Sequence, residues 1–205
     1  MRITGTTGDL IAPTTGRVFA PCADPPSPPQ IERRRLCVLI ADVAGFSRQV
    51  ELDDLATVLR LHELRRRLIL PTMHAHRGWI ASSAGDATLM AFPRSTDAVN
   101  CAVALQRALN STRAGAAVDG DLRLHMGICA GESIAVDGDL YGHPLNIAAR
   151  LQALAEPGDV YLSDGVVAEV GDVAGVRFEA LGRCELRNIT QPVHVYRIAR
   201  GSLEG

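Results

Sequence analysis

The sequence predicts one mixed domain, α/β or α+β, with helices packed on a central sheet. Three observations predict it. Short apolar runs of strand length alternate with longer stretches of helical period along most of the chain. One of those runs, 36–41, is apolar enough to be covered on both faces, and 122–130 reads as another strong strand. Apolar side chains make up 47% of the 205 residues, enough to build a real core.

The elements follow in order. Five of the 11 prolines lie between Ala20 and Gln30. That composition favours polyproline geometry and offers little apolar surface, so a mobile arm is expected over 1–32. The folded domain is expected over 33–200, with a short tail at 201–205. Arg33-Arg34-Arg35 reads as a solvated edge. Residues 36–41 read as a central strand and 42–47 as a turn. A helix is expected over about 52–76, with Leu52, Leu55, Leu59, Leu64 and Leu68 as its apolar stripe and Pro71 as a kink. Arg65-Arg66-Arg67 would form its solvated face, and Gly78 would end it. Residues 79–83 and 87–92 read as a hairpin around Ala84-Gly85-Asp86. Ser95 or Thr96 would cap a helix reaching about 109. A strand over 122–130, a helix over 142–154 and strands over 160–163 and 193–198 complete the pattern. No internal repeat is present.

Composition excludes several function classes. All 21 basic side chains are Arg, so no Walker lysine, Schiff-base lysine or lysine general base exists. Net charge is -2 and aromatics are 4%, which argues against a nucleic-acid partner. The five cysteines show no C-x-x-C spacing, so neither a zinc site nor a disulfide framework is expected. Buried thiols of a reducing compartment are the expectation instead. No apolar run reaches about 18 residues, and the N-terminus lacks the order of a signal peptide. A cytoplasmic protein with no membrane partner is expected. No G-x-S-x-G turn points to a serine hydrolase.

Two groups of residues carry chemistry. Asp42 follows the first strand and Asp86 stands at the hairpin tip. Such strand ends are where an open sheet holds ligands. Two carboxylates meeting there suit a pair of magnesium ions, which take oxygen ligands, and such a pair suits in-line displacement at phosphorus. Small residues at Ala44 and Gly45 let backbone N–H groups approach a polyphosphate. The residues leave a second reading open, in which both acids satisfy nearby turn N–H groups. The other group spans 139–151. Asn146 and Arg150 are four apart and share a helix face, while Ile147 and Leu151 anchor a neighbouring one. An Arg on a rigid helix can stabilise a transferring phosphoryl group, and an Asn can fix a hydroxyl or ring oxygen. An ordinary exposed Arg and a helix-start Asn are the alternative.

Together these segments resemble the class III nucleotidyl cyclase catalytic domain. Val38-Leu39-Ile40-Ala41-Asp42-Val43-Ala44-Gly45-Phe46-Ser47 looks like its opening strand and turn. Ser83-Ala84-Gly85-Asp86-Ala87 looks like its second metal-aspartate hairpin. Residues 124–131 resemble its central strand and 139–151 its signature, and 156–163 and 191–196 fit as well. The match runs from about 35 to 199 in unbroken order.

The resemblance implies an α+β, ferredoxin-like βαββαβ core, its mostly antiparallel sheet flanked by helices. It implies a head-to-tail homodimer converting a nucleoside triphosphate to a 3′,5′-cyclic nucleotide and pyrophosphate. Asp42, Asp86 and the Val43 carbonyl would hold two Mg²⁺ or Mn²⁺ ions. The turn Ala44-Gly45-Phe46-Ser47 would lie against the substrate. Asn146 would orient the ribose and Arg150 would offset transition-state charge, both across the interface. Ser82 and Asp139 match the base-selecting positions. Asp139 keeps the adenine pattern, but Ser82 stands where purine cyclases carry Lys or Glu. ATP is therefore the expected substrate, with GTP, CTP or UTP as the alternative. Glu132 stands where some members carry a phosphate-contacting Arg. A non-catalytic nucleotide-binding or dimerisation module is the rival from another class.

Overall fold

The structure, a computed structural model, describes residues 30–113 and 122–204. The expected arm lies outside the described residues up to position 29. Strand β1 is Ile31–Val43, starting five residues before the apolar run that signals it. Its leading half, with Arg33, Arg34 and Arg35, is exposed and hydrogen-bonded to the far half of β4. Then follow helices α1 (Phe46–Leu52), α2 (Asp54–Leu64) and α3 (Leu70–Ala75), and the hairpin β2 (Trp79–Ala84) and β3 (Ala87–Phe92). Helix α4 (Ser95–Arg113) and strand β4 (Leu124–Val136) complete a βαββαβ unit. The rest is β5 (Asp139–Tyr141), α5 (His143–Leu154), β6 (Val160–Ser163), α6 (Asp164–Val170), β7 (Phe178–Cys184) and β8 (Val193–Ile198).

The sheet settles the class as α+β. Among the described residues eight strands form one sheet in the order β2-β3-β1-β4-β6-β8-β7, with β5 paired to β4. Only β4 and β6 run parallel. The first four strands in that order make the ferredoxin-like arrangement. Alternation along β1 divides the core in two. Cys37, Leu39, Ala41 and Val43 face Leu61, Leu64, Met73, Leu105 and Val166, from α2, α3, α4 and α6. Val38 faces Ile147, Ala148 and Leu151 of α5 on the other side.

Helix α5 lies directly on β4. A Cβ at Gly127 would sit 2.1 Å from the Ala148 carbonyl oxygen and 2.3 Å from the Gln152 nitrogen, and one at Gly131 would meet the Pro144 ring at 2.7 Å. The backbone atoms at Gly127 cannot yield as a flexible side-chain tip can. Gly127→Ala is therefore expected to cost about 3 kcal/mol, since overpacking by one methyl must push α5 off the sheet. A urea midpoint unchanged from wild type would contradict this packing.

The long helix differs from expectation in two ways. It is split at Asp53, whose side chain accepts a hydrogen bond from Ala56 N and caps α2. Its buried stripe is Thr57, Leu61, Leu64, Ile69 and Met73. Leu52, Leu55 and Leu59 of the predicted stripe are exposed, and on α2 Leu55 and Leu59 stand two residues, about 200° of rotation, from the buried Thr57 and Leu61. The irregularity near Pro71 is a π-turn over Arg65–Ile69, closed by Leu70 N–H to Arg65 O. Pro71 has no N–H to give, and the widened turn just before it absorbs that loss.

Strands β5 and β7 and helix α6 were not anticipated. Asp137-Gly138, both at positive φ, makes the two-residue turn that folds β5 onto β4. At the other end, Leu203 is buried in the first core and Ser202 Oγ accepts from Arg177 N. No helix among the described residues is long and apolar enough to cross a membrane. Cys37, Cys101, Cys129 and Cys184 are free thiols, and burial pushes the first two up to about 12.

Candidate active site

Asp42 and Asp86 come together. Asp42 is the penultimate residue of β1, on the face that α5 covers. Asp86 occupies the turn between β2 and β3, and β3 pairs with β1 through Ala41 and Thr88. Burial pushes the Asp42 carboxyl up, but the His125 ring and Asp86 beside it outweigh this and hold it below the usual carboxylate range. Asp86 moves the other way, raised by burial and by the Asp42 charge. Two like charges this close favour one proton between them, unless a cation replaces it. Asp42 Oδ1 is buried without a hydrogen-bond partner. Asp42 lies inside a strand and its other oxygen bonds a side chain, so the reading as a turn acid fails for it. An orphaned, buried carboxylate oxygen beside a second carboxyl is a donor set that suits a divalent cation. Among the described residues no group of three His, Cys, Asp or Glu could hold a metal, so further ligands would come from backbone or substrate oxygens.

Residues that the sequence did not single out hold the Asp42 carboxylate and the hairpin that carries Asp86. Arg65, expected on a solvated face, is half-buried and grips the Asp86 hairpin. Its Nη2 donates to Gly85 O at 2.7 Å and Ala87 O at 3.1 Å, and its Nε to Thr88 Oγ1 at 3.2 Å. Only Arg66 and Arg67 of that run are exposed, both paired with Glu63. His125 is the cross-strand neighbour of Asp42, and Gln152 of α5 donates to Asp42 Oδ2 at 3.3 Å. His125 becomes visible as a neighbour only once the β1–β4 register is known. Arg65 hides within three identical residues.

Gly45 takes φ 69 at the N-terminal boundary of α1, a left-handed conformation that favours glycine. The helix begins at Phe46, inside the expected turn, and the Phe46 side chain packs into the first core. Only the backbone of Phe46 is left to face a ligand, whereas Ser47 is exposed. In β2 the register shifts between Ile80 and Ser82. This bulge returns Ser82 to the face of Trp79, which simple alternation would deny it. Strands β2 and β5, carrying Ser82 and Asp139, lie in contact. Leu36, Trp79 and Asp139 line one open cleft of about 630 Å³.

Asn146 and Arg150 are not brought to the carboxylates of their own chain. Asn146 is exposed, and Arg150 Nε donates to Arg187 O at 3.2 Å. About 200° of helical rotation separates Arg150 from Gln152, so one helix face carries Arg150 away from Asp42 while the other carries Gln152 onto it.

No family model matches the chain. It is 35% identical over 166 residues to adenylate cyclase 3 of Rhizobium meliloti, whose name is itself provisional, covering 81% of this chain and 28% of that protein. It is 28% identical over 175 residues to a pH-sensitive adenylate cyclase of Mycobacterium tuberculosis, covering 82% and 42%. The chain thus spans less than half the length of these curated relatives. An adenylyl cyclase of P. aeruginosa shares the fold at TM-score 0.73, with 21% identity over 83% of this chain and 96% of that one. An adenylate/guanylate cyclase/hydrolase from Silicibacter pomeroyi superposes at TM-score 0.76 with 33% identity, over 83% of this chain and 99% of that one. A solved relative that similar, matched over nearly its whole length, shows that this chain belongs to the adenylate/guanylate cyclase family as a class III nucleotidyl cyclase catalytic domain.

Proposed function

We propose that this chain converts a nucleoside triphosphate, ATP by preference, to a 3′,5′-cyclic nucleotide and pyrophosphate at the interface of a homodimer. The observation that carries this reading is the Asp42–Asp86 pair, with its buried unsatisfied oxygen. Asp42, Asp86 and the Val43 carbonyl are the groups to hold Mg²⁺ or Mn²⁺. When bound, such ions make the 3′-hydroxyl more acidic and offset charge on the triphosphate. Backbone N–H groups over 44–47 receive the phosphates. Asn146 aligns the ribose, and Arg150 offsets charge developing at the α-phosphorus. Within one chain those two residues face away from Asp42, which supports their use by a second copy. Arg150 engages Arg187 O through Nε, leaving its Nη groups for a phosphate. The exposed side chains of Leu52, Leu55 and Leu59 also support an association surface.

The experiment is incubation with each of the four nucleoside triphosphates and Mn²⁺, with products identified by mass. Asp139 can accept a hydrogen bond from the adenine amino group, and Ser82 can reach a ring nitrogen. A neutral hydroxyl contact is worth about 0.5–1.5 kcal/mol, against roughly 1.5–3 for a charged one. Preference for ATP is therefore expected to be modest, on the order of tenfold per 1.4 kcal/mol, with measurable turnover of a second nucleotide. Ser82→Lys should sharpen it. CTP or UTP outrunning ATP in direct competition would overturn the choice of base. No cyclic product from any of the four would leave a nucleotide-binding module instead.

A further inference from the structure

A run of hydrogen bonds connects the end of α5 to the Asp42 carboxylate. Ala155 O lies 3.2 Å from His125 Nδ1. A carbonyl only accepts, so Nδ1 carries the hydrogen, and Nε2 lies 3.7 Å from Asp42 Oδ2. Gln152 Nε2 lies over that ring, 3.0 Å from its Nε2 and 3.3 Å from its Nδ1, and 3.3 Å from Asp42 Oδ2. An amide nitrogen only donates, so it gives an N–H to the carboxylate while the amide rests against the imidazole ring. Oδ2 is thereby held, and Oδ1 stays buried and unpartnered.

Gln152 is itself buried. A buried amide serving the fold alone behaves like Gln106, whose Nε2 donates to the Leu124 carbonyl at 2.8 Å. The amide nitrogen of Gln152 meets instead a carboxylate and an imidazole. Gly127 makes this reach possible, because a Cβ there would lie 2.3 Å from the Gln152 backbone nitrogen. We propose that Gln152, oriented by His125, is the positioning residue that fixes the Asp42 carboxylate and presents Oδ1 to a divalent cation. This inference rests on the metal reading given above. Without the amide the carboxylate can turn about its own bond, and each orientation it samples lowers the share ready for the ion.

The test is Mn²⁺ binding to the nucleotide-free, full-length protein, followed by loss of the free-Mn²⁺ EPR signal. Wild type should bind, and Asp42→Ala should not. Gln152→Met keeps the length of the side chain without its donor and should weaken binding about tenfold, the lower end for a group that orients a metal ligand. Gln152→Asn keeps a buried amide but withdraws it by one methylene, and should weaken binding comparably. It decides the matter if the Met variant does not fold. His125→Phe should weaken binding less. The Gln152→Met, His125→Phe double variant should bind more weakly than Gln152→Met alone, because His125 also lies beside Asp42 itself. In the Gln152 variants raised Mn²⁺ should restore kcat, which a purely structural defect would not allow. A folded Gln152 variant binding Mn²⁺ as tightly as wild type overturns this inference and leaves the metal reading intact. Wild-type binding that does not depend on Asp42 overturns both.

Discussion

Asp42→Ala and Asp86→Ala should each lower cyclase turnover at least about a thousandfold, equivalent to ~4 kcal/mol of lost transition-state stabilisation. On the proposed function the two carboxyls hold the ions, and among the described residues no third His, Cys, Asp or Glu joins them in a metal-holding group. Stability should move the other way. The carboxyls crowd each other without a cation, raising Asp86 from its ordinary value. Removing one relieves that repulsion, so the metal-free Asp86→Ala protein should unfold no lower in temperature than wild type. Turnover by mass-detected product and thermal unfolding of the same preparations check both halves. Near-wild-type turnover in either variant would end the two-metal assignment.

Mixing Asp86→Ala chains with Arg150→Ala chains should restore activity that neither has alone. Arg150 points away from Asp42 in its own chain, so a site built across two copies takes its carboxylates from one and its arginine from the other. A mixed dimer then holds one intact site and one doubly defective site. With free exchange of equal amounts, about half of the dimers are mixed, and turnover should reach about a quarter of wild type. Mixed dimers should be demonstrated with two affinity tags. Their formation without any gain in turnover would show that each chain completes its own site.

The sequence was legible where local chemistry repeats itself. Asp42, Asp86 and the hairpin around Gly85 could be placed because a strand-length apolar run and a turn residue mark each one. The pairing of the two carboxylates followed from their positions at strand ends and from the resemblance. The neighbours of the site were not legible, because register and helix phase bring them there. His125 meets Asp42 only through the β1–β4 pairing, and Gln152 only through the seat at Gly127. The stripe of Leu52, Leu55 and Leu59 misleads because the step of five from Leu59 to Leu64 turns about 140°, onto another face of α2. Ser82 reaches its face by a bulge that no alternation pattern reveals.

Helix α5 also has a genetic meaning. In the proposed dimer its outward residues, Asn146 and Arg150, serve one site, while its inward residue, Gln152, serves the other. Loss-of-function alleles along these few residues therefore sort into two complementation groups. Alleles at 146 and 150 belong together and complement those at Asp86. An allele at 152 belongs with Asp42 and Asp86, although only two residues separate it from Arg150. The boundary between two units of function thus runs lengthwise down a single helix, along its axis and not across the chain.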